Sequence, residues 1–391
     1  MKAIDNFNEI VRYLPEPSAR VDWRGLEATA LGGIFEKMRA TEQDPEYHGE
    51  GNVYEHTKLV TEALIELSEY SEGSERERTV LFFAALLHDI GKIKCTRVEN
   101  GKITSPHHAA TGARMARAFL WKTLGMSGDS SLQSMREGIC TLIRYHTFPP
   151  FAMKSENPEL KILKIASMCE LTADFSMRKL CAIEAADAMG RVGASTDEYL
   201  ERTEYCRMLS EELCVLDSSY GFTSAYTQRA YFLEKSKWRD DTVYSDSFGE
   251  VILLSGLPGT GKDTWISKNA PNLPVISLDD IREELNISPT ENQGAVINEA
   301  YGMARAYLRK KQPFVWNATS IVRELRSKVI SLCEQYGASV TTVFLETEWE
   351  RELERNSSRE RTVPEEKIEK MLSKLEIPER YESERVVWEC V

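Results

Sequence analysis

The segment Gly256-Leu257-Pro258-Gly259-Thr260-Gly261-Lys262-Asp263-Thr264 constrains this chain more than any other. It follows the apolar run Val251-Ile252-Leu253-Leu254 and opens a helical stretch. Glycines between a strand and a helix let backbone amides turn inward around phosphate oxygens, and the helix start adds partial positive charge. Lys262 stands where a side chain reaches the β- and γ-phosphates of a nucleoside triphosphate. Such a turn belongs to a parallel sheet. Apolar runs at 275–278, 314–316 and 340–345, separated by helical stretches, fit the same α/β pattern. The position after the lysine is usually Ser or Thr for Mg2+. Here it is Asp263, with Thr264 next, and either Thr264 or Asp263 (through water) could hold the metal.

The first part of the chain reads differently. Apolar residues recur at three- and four-residue spacing over 60–69, 79–87, 112–124 and 132–145. Pro149-Pro150 stops one helix, and 161–190 holds one or two more. A polar stretch after Lys237 reads as a linker. The expected fold is multidomain: an all-α domain over 1–240, with a helical extension at about 195–240, then an α/β domain with a parallel sheet over 241–391.

The chemistry is partitioned in the same way. All six histidines, His48, His56, His88, His107, His108 and His146, precede residue 147. His88-Asp89 ends the apolar run Phe82 to Leu87, and burying two such polar residues is costly without a partner. A metal ion supplies one. His56, His108, His146 and Asp187 are the further candidate ligands. Imidazole and carboxylate suit manganese, iron, cobalt, nickel or zinc, with magnesium also open. Such a site lowers the pKa of bound water and orients a phosphate ester for in-line attack. His107 rivals His108, and Asp174 is spaced from Arg178 as Asp187 is from Arg191. His48 reads as a structural or supporting residue.

Two further elements lie near the glycine turn in function. Ser277-Leu278-Asp279-Asp280-Ile281-Arg282 follows an apolar run, so its carboxylates sit over a nucleotide crevice. Asp279 could take the proton of an acceptor hydroxyl, and Arg282, one helical turn on, could clamp a phosphate. Taken alone, Asp279-Asp280 is equally a helix cap. Arg355 and Arg359 lie four residues apart before Val363-Pro364 and could close over a triphosphate as a lid.

Together these elements resemble the kinase of phage-type polynucleotide kinases over residues 250–391. The resemblance implies that Asp279 is the general base on a 5′-OH, that Arg282 binds the phosphate at the reacting end, and that Arg355 and Arg359 are lid arginines. Gly256, Gly259, Thr260, Gly261, Lys262, Asp263 and Thr264 would hold ATP or another NTP with Mg2+. Asn317-Ala318-Thr319 with Arg326 resembles a further element of that family. Residues 45–195 are similar to the HD phosphohydrolase superfamily, an all-helical fold. By that resemblance His56, His88, Asp89 and Asp187 hold a first divalent metal, such as Mn2+, Ni2+, Co2+ or Mg2+. His108 and His146, with Asp89 bridging, would serve a second metal or the phosphate, and Lys92 and Arg191 would contact the scissile phosphate.

The domain order resembles the bacterial HD-Pnk family of bifunctional RNA end-healing enzymes. That implies transfer of an NTP γ-phosphate to a polynucleotide 5′-OH and metal-dependent removal of 2′- or 3′-phosphate ends, with the 2′,3′-cyclic ester as a further substrate. RNA or DNA ends would be the substrates, with an RNA ligase acting downstream. A net charge of −13 argues against a basic coat for long duplexes but allows a locally basic groove. No apolar run is long enough to span a membrane, no secretory signal is expected, and none of the eight cysteines forms a CxxC pair, so a cytoplasmic location is expected. Two other readings fit parts of the pattern: an HD nucleotidase joined to a small-metabolite kinase, and a non-catalytic nucleotide sensor.

Overall fold

Nine consecutive residues, Thr79 to Leu87, are buried along the helix Glu75–Leu87. A helix covered on every side must lie at the centre of a helical layer. Val53–Ile65, Ser130–Tyr145 and Met177–Met189 pack around it. The computed structural model describes residues 2–193, 196–288, 291, 293–358 and 362–391. It divides into two units, Met1–Tyr220 and Gly221–Val391.

Local chemistry sets the helix starts of the first unit. Ser74 and Glu77 form a reciprocal capping box on the central helix. Asn52 caps Val53–Ile65 by accepting from the Glu55 amide, and Ser176 caps Met177–Met189 by accepting from the Lys179 amide. Among its described residues the unit is helical apart from an isolated bridge between Glu42 and Asn52 and a small hairpin, β1 (Arg97–Glu99) with β2 (Lys102–Thr104), inside the region expected to be helical. Its turn residues Asn100 and Gly101 both have positive φ, which suits a two-residue hairpin loop. Gly91 permits one close approach. A Cβ there would lie 2.0 Å from the His108 carbonyl oxygen, so only glycine lets His108–Ala118 start against the His88-Asp89 turn.

The second unit is built on a five-stranded, all-parallel sheet. Its order is β4 (Val275–Ser277), β5 (Val315–Asn317), β3 (Glu250–Ser255), β6 (Ser339–Glu346), β7 (Arg385–Cys390). Side chains alternate across β3. Val251 and Leu253 pack with Val296, Ala300 and Val329 on one face, while Leu254 packs with Ile266 on the other. The four sequence-derived runs form β3 to β6, and the edge strand β7 is an addition. The helix Ala225–Phe232 belongs to this second unit, whereas the sequence reading grouped about 195–240 with the first. Arg229 Nε donates to Glu334 Oε1 at 3.0 Å, and Phe232 meets Tyr381 edge-on. Among the described residues, no helix is long and apolar enough to cross a membrane.

Candidate active sites

The central helix of the first unit ends at His88, so its C-terminus delivers His88-Asp89 into the interior. Val53–Ile65 brings His56, His108–Ala118 brings His108, and Ser130–Tyr145 ends on His146. Met177–Met189 brings Asp187. These six residues converge as two triads, His56 with His88 and Asp187, and Asp89 with His108 and His146. Within each triad the candidate ligand atoms lie within 4.8 Å of one another. Asp89 joins the two. Its Oδ2 lies 3.3 Å from His88 Nε2 and 3.8 Å from His56 Nε2. Its Oδ1 lies 3.4 Å from His108 Nε2 and 3.9 Å from His146 Nε2.

Hydrogen bonds around the cluster aim the imidazoles. His88, His108 and His146 each turn Nδ1 toward a backbone carbonyl, that of Ala85 at 2.8 Å, Ser105 at 2.8 Å and Ile143 at 2.7 Å. A carbonyl only accepts, so each Nδ1 carries the proton and each Nε2 turns a lone pair inward. Burial pushes His146 down to about 3 and lowers His108 as well, so both are neutral. Their Nε2 atoms nevertheless face each other at 3.3 Å. Buried His88 Nε2 and Asp89 Oδ1 have no hydrogen-bond partner. Facing lone pairs and orphaned ligand atoms are what a cation resolves, and the donor set of nitrogen and carboxylate oxygen fits a divalent metal.

The carboxylates are kept ionised. Burial raises the pKa of Asp89, but the Lys92 ammonium at 2.7 Å outweighs it and holds the carboxyl well below its ordinary value. Asp187 is likewise held low against burial by Arg191, whose Nη2 lies 2.6 Å away, and by His56, whose Nε2 lies 2.8 Å away. Lys92 and Arg191 are thus placed on the candidate ligand carboxylates themselves. His108 rather than His107 enters the cluster. Asp174 does not: Arg76 Nε donates to it at 2.6 Å, and Arg178 pairs with Asp217.

The motifs alone did not show three supporting groups. Glu50 Oε1 lies 2.7 Å from His56 Nδ1 and 2.8 Å from His48 Nδ1, which makes His48 a supporting residue. Gln43 Oε1 accepts from Lys92 at 2.6 Å. Glu184 is buried one helical turn before Asp187, and burial together with Asp187 pushes its carboxyl well above the ordinary value. Glu50 had a signal in its place two residues before the helix cap Asn52, beside His48. Gln43 had none.

In the second unit the glycine turn leaves β3 at the carboxyl end of the sheet. Gly256, Gly259 and Gly261 all have positive φ. The Gly256 amide donates to the Thr319 carbonyl at 2.9 Å, and Thr260 Oγ1 donates to the Leu257 carbonyl at 2.9 Å. Lys262 Nζ bonds the Leu257 and Gly256 carbonyls at 2.7 and 3.1 Å. Asp263 Oδ1 accepts from Asn317 Nδ2 at 2.7 Å, which ties the helix start to the end of β5. Thr264 is exposed on the same first turn. Ser277, not Asp279, caps Leu278–Glu284, so Asp279 is left exposed at the end of β4 in an ion pair with Arg282. Arg282 Nε also donates to Gln293 Oε1 at 2.7 Å. Arg355 reaches the turn: its Nη1 lies 3.5 Å from where a Cβ on Gly261 would stand. Arg359 lies outside the described residues. Arg326 is fully buried, and its guanidinium bonds both Glu382 oxygens at 2.7 and 2.8 Å, which makes it a scaffold residue.

Comparison with known proteins agrees with this division. The family described as the HD domain matches residues 53–171. A family described as the AAA domain matches residues 251–378. The HD match ends before Asp187 and Arg191, so the convergence of those two on the cluster comes from the structure. The chain is also similar to the Multifunctional CCA protein of Pasteurella multocida (strain Pm70), with 25% identity over 202 residues. That alignment covers 50% of this chain and 44% of the relative, so the chain spans under half the length of that protein. The chain carries an HD phosphohydrolase-type helical domain followed by a P-loop kinase-like domain.

Proposed function

We propose that the chain is a bifunctional enzyme that heals broken RNA ends. Its second domain transfers the γ-phosphate of an NTP to a polynucleotide 5′-OH, and its first domain removes 2′- or 3′-end phosphate. The observation that supports this most is the presence in one chain of two separate centres of complementary chemistry. One is the Asp89-bridged histidine cluster, and the other is the glycine turn after β3 in a parallel sheet whose strand β4 leads into the Asp279–Arg282 ion pair. Ribonuclease cleavage by transesterification leaves a 2′,3′-cyclic phosphate and a 5′-OH, whereas a ligase needs a 3′-OH and a 5′-phosphate. Each centre corrects one end.

In the kinase half, the loop amides and Lys262 bind the triphosphate and Asp279 accepts the proton of the attacking hydroxyl. The new bond joins the 5′ oxygen to the γ-phosphorus. The bond to the bridging oxygen breaks, and NDP leaves. Arg282 and Arg355 offset charge on the moving phosphoryl group. In the phosphatase half, His56, His88, Asp89 and Asp187 would hold one divalent metal, and His108 and His146 would serve a second position. A metal held there supplies a water of lowered pKa and charge at the phosphoryl oxygens. Lys92 and Arg191 keep the ligand carboxylates ionised and would contact the scissile phosphate.

The test uses ATP and an RNA with 5′-OH and 3′-phosphate ends, with both termini read. Lys262→Ala or Asp279→Ala should abolish 5′-phosphorylation and spare end dephosphorylation. Asp89→Ala should do the reverse and lower bound metal per chain. Equal loss of both activities in every variant would overturn the division of labour.

A further inference from the structure

Two cations sit on the candidate ligand carboxylates, and their other sides differ. Lys92 turns to Gln43, whereas Arg191 meets an aromatic ring. Arg191 Nη2 and Nε donate to Asp187 at 2.6 and 3.3 Å, and the guanidinium carbon lies 4.7 Å from the centre of the Tyr199 ring. Tyr199 in turn meets Phe151 edge to face, with ring centres 5.9 Å apart and planes at 85°. The Lys154 ammonium stands 5.2 Å from the Phe151 ring centre. Contacts thus run from Asp187 through Arg191 and Tyr199 to Phe151 and Lys154, both exposed.

The chain brings the two rings together from two of the ligands. His146 ends the helix Ser130–Tyr145, and the 3-10 helix Pro149–Lys154, which carries Phe151, follows it with prolines in its first turn. Arg191 lies one helical turn beyond Asp187, and the next helix, Thr196–Glu212, carries Tyr199 and packs along Pro149–Lys154. Phe151 is 40% exposed, the one exposed phenylalanine among the described residues. A single exposed apolar side chain is ordinary, but its company here is not. A nucleotide joins a flat π face to an anion. Here two rings adjoin two cations, and one of those cations already lies on the centre that takes the phosphate. Arg191 is itself 16% exposed, so it can be met from solvent. Asp197 and Glu198 precede Tyr199 but leave the helix on other faces, at about 100° per residue, and Arg202 holds Glu198.

We propose that Phe151 and Tyr199 seat the base of the terminal nucleoside whose 2′- or 3′-phosphate meets Arg191 at the histidine cluster. Lys154 then meets the phosphate on the 5′ side of that nucleoside. This rests on the end-healing reading and adds the part of the strand end that the first domain recognises. Every base offers a π face, so the seat takes any base and tells a nucleic-acid end from a simple phosphate ester without reading sequence. Tyr199 serves twice, because the ring that flanks the base also holds the Arg191 guanidinium in place. Stacking of one base on aromatic side chains should favour a base-bearing end over an abasic one by about 5- to 150-fold.

The test gives the full-length protein, with Mn2+ added, two 3′-phosphorylated RNAs that differ only in the last residue, a normal nucleoside in one and an abasic sugar in the other. The readout is the ratio of their kcat/KM values, which should stand at about 5 to 150 in wild type and arise in KM. Phe151→Leu keeps an apolar side chain and removes the π face, and it should bring the ratio close to one. Phe151→Tyr, which keeps a ring, should restore it. The ratio compares two ends on one protein, so a loss of packing alone lowers both rates and leaves the ratio as in wild type. A second probe is an RNA that ends in 2-aminopurine with a non-cleavable 3′-phosphonate. Its fluorescence should fall on binding, as a stacked base is quenched, and Phe151→Leu should abolish the fall. A wild-type ratio near one, or a ratio that Phe151→Leu leaves unchanged, would overturn the proposal. End-phosphatase activity with a ratio near one removes the base seat and leaves the healing reading. A quench that Phe151→Leu abolishes, in a protein that removes phosphate from no RNA end, removes the healing reading and leaves the base seat.

Discussion

Glu352 offers a quantitative test of how the kinase domain is built. It lies in the helix Trp349–Ser357, which also carries Arg355, and it is fully buried. Neither carboxyl oxygen has a hydrogen-bond partner. Burial pushes its pKa up to about 8 from an ordinary 4.5, with the Lys262 ammonium pulling it down and the Glu346 carboxyl pushing it up. The folded domain therefore holds a proton that the unfolded chain releases near pH 4.5. Between those values the native state binds more protons than the unfolded state, so stability falls as pH rises. The gap of about 3.5 pH units, at about 1.36 kcal/mol each, sets an upper bound of about 5 kcal/mol, fully incurred above pH 8. Glu352→Gln keeps the shape and removes the titration. Urea unfolding of wild type and variant at pH 4 to 9.5 reads the effect through tryptophan fluorescence. Trp238, Trp265, Trp316, Trp349 and Trp388, five of the seven tryptophans, report on the second unit. The variant should gain on wild type progressively from about pH 4.5 to 8 and then level off. Stability curves that stay parallel within about 0.5 kcal/mol from pH 5 to 9 would refute the assignment of a neutral buried carboxyl.

Two more changes probe the scaffold of each centre. Gly91→Ala puts a methyl group 2.0 Å from the His108 carbonyl oxygen and 2.6 Å from the Gly112 nitrogen, so it should shift His108, lower metal content and end-phosphatase activity, and leave 5′-phosphorylation intact. Arg326→Met strands the buried Glu382 carboxylate and should cost about 3–5 kcal/mol in urea unfolding, with a loss below about 1 kcal/mol contradicting the buried pair.

What could be read from the residues divides by range. The glycine turn, the apolar runs of β3 to β6 and the His88-Asp89 pair are local signals, because each is set by neighbours in the chain. The sheet order and the meeting of His56 with Asp187, 131 positions apart, are long-range, and only their residue types hinted at them. β7 escaped because it is an edge strand: apart from Val386 its residues are only partly covered or exposed, so Arg385-Val386-Val387-Trp388-Glu389-Cys390 lacks a buried run. The β1–β2 hairpin is three residues per strand and wholly outside the core, which leaves Asn100-Gly101 as its one sequence mark. Spacing alone left Asp174–Arg178 a rival of Asp187–Arg191, which only the resemblance of Ala186-Asp187-Ala188-Met189-Gly190-Arg191 to the HD superfamily's last motif decided, and the physical reason appears only in three dimensions. Asp174 is consumed by Arg76, which lies 98 residues away and shares no motif with it. Glu352 and Arg326 show the same limit from the energetic side. A glutamate in a charged helix and an arginine on another look alike as solvent-facing charges in one dimension, and burial alone reveals that one must be neutral and the other paired. The cluster ligands could be named early because a metal site needs particular donor atoms. The groups that tune it could not, because Gln43, Glu50 and Glu184 act through contacts that any of several residue types could make.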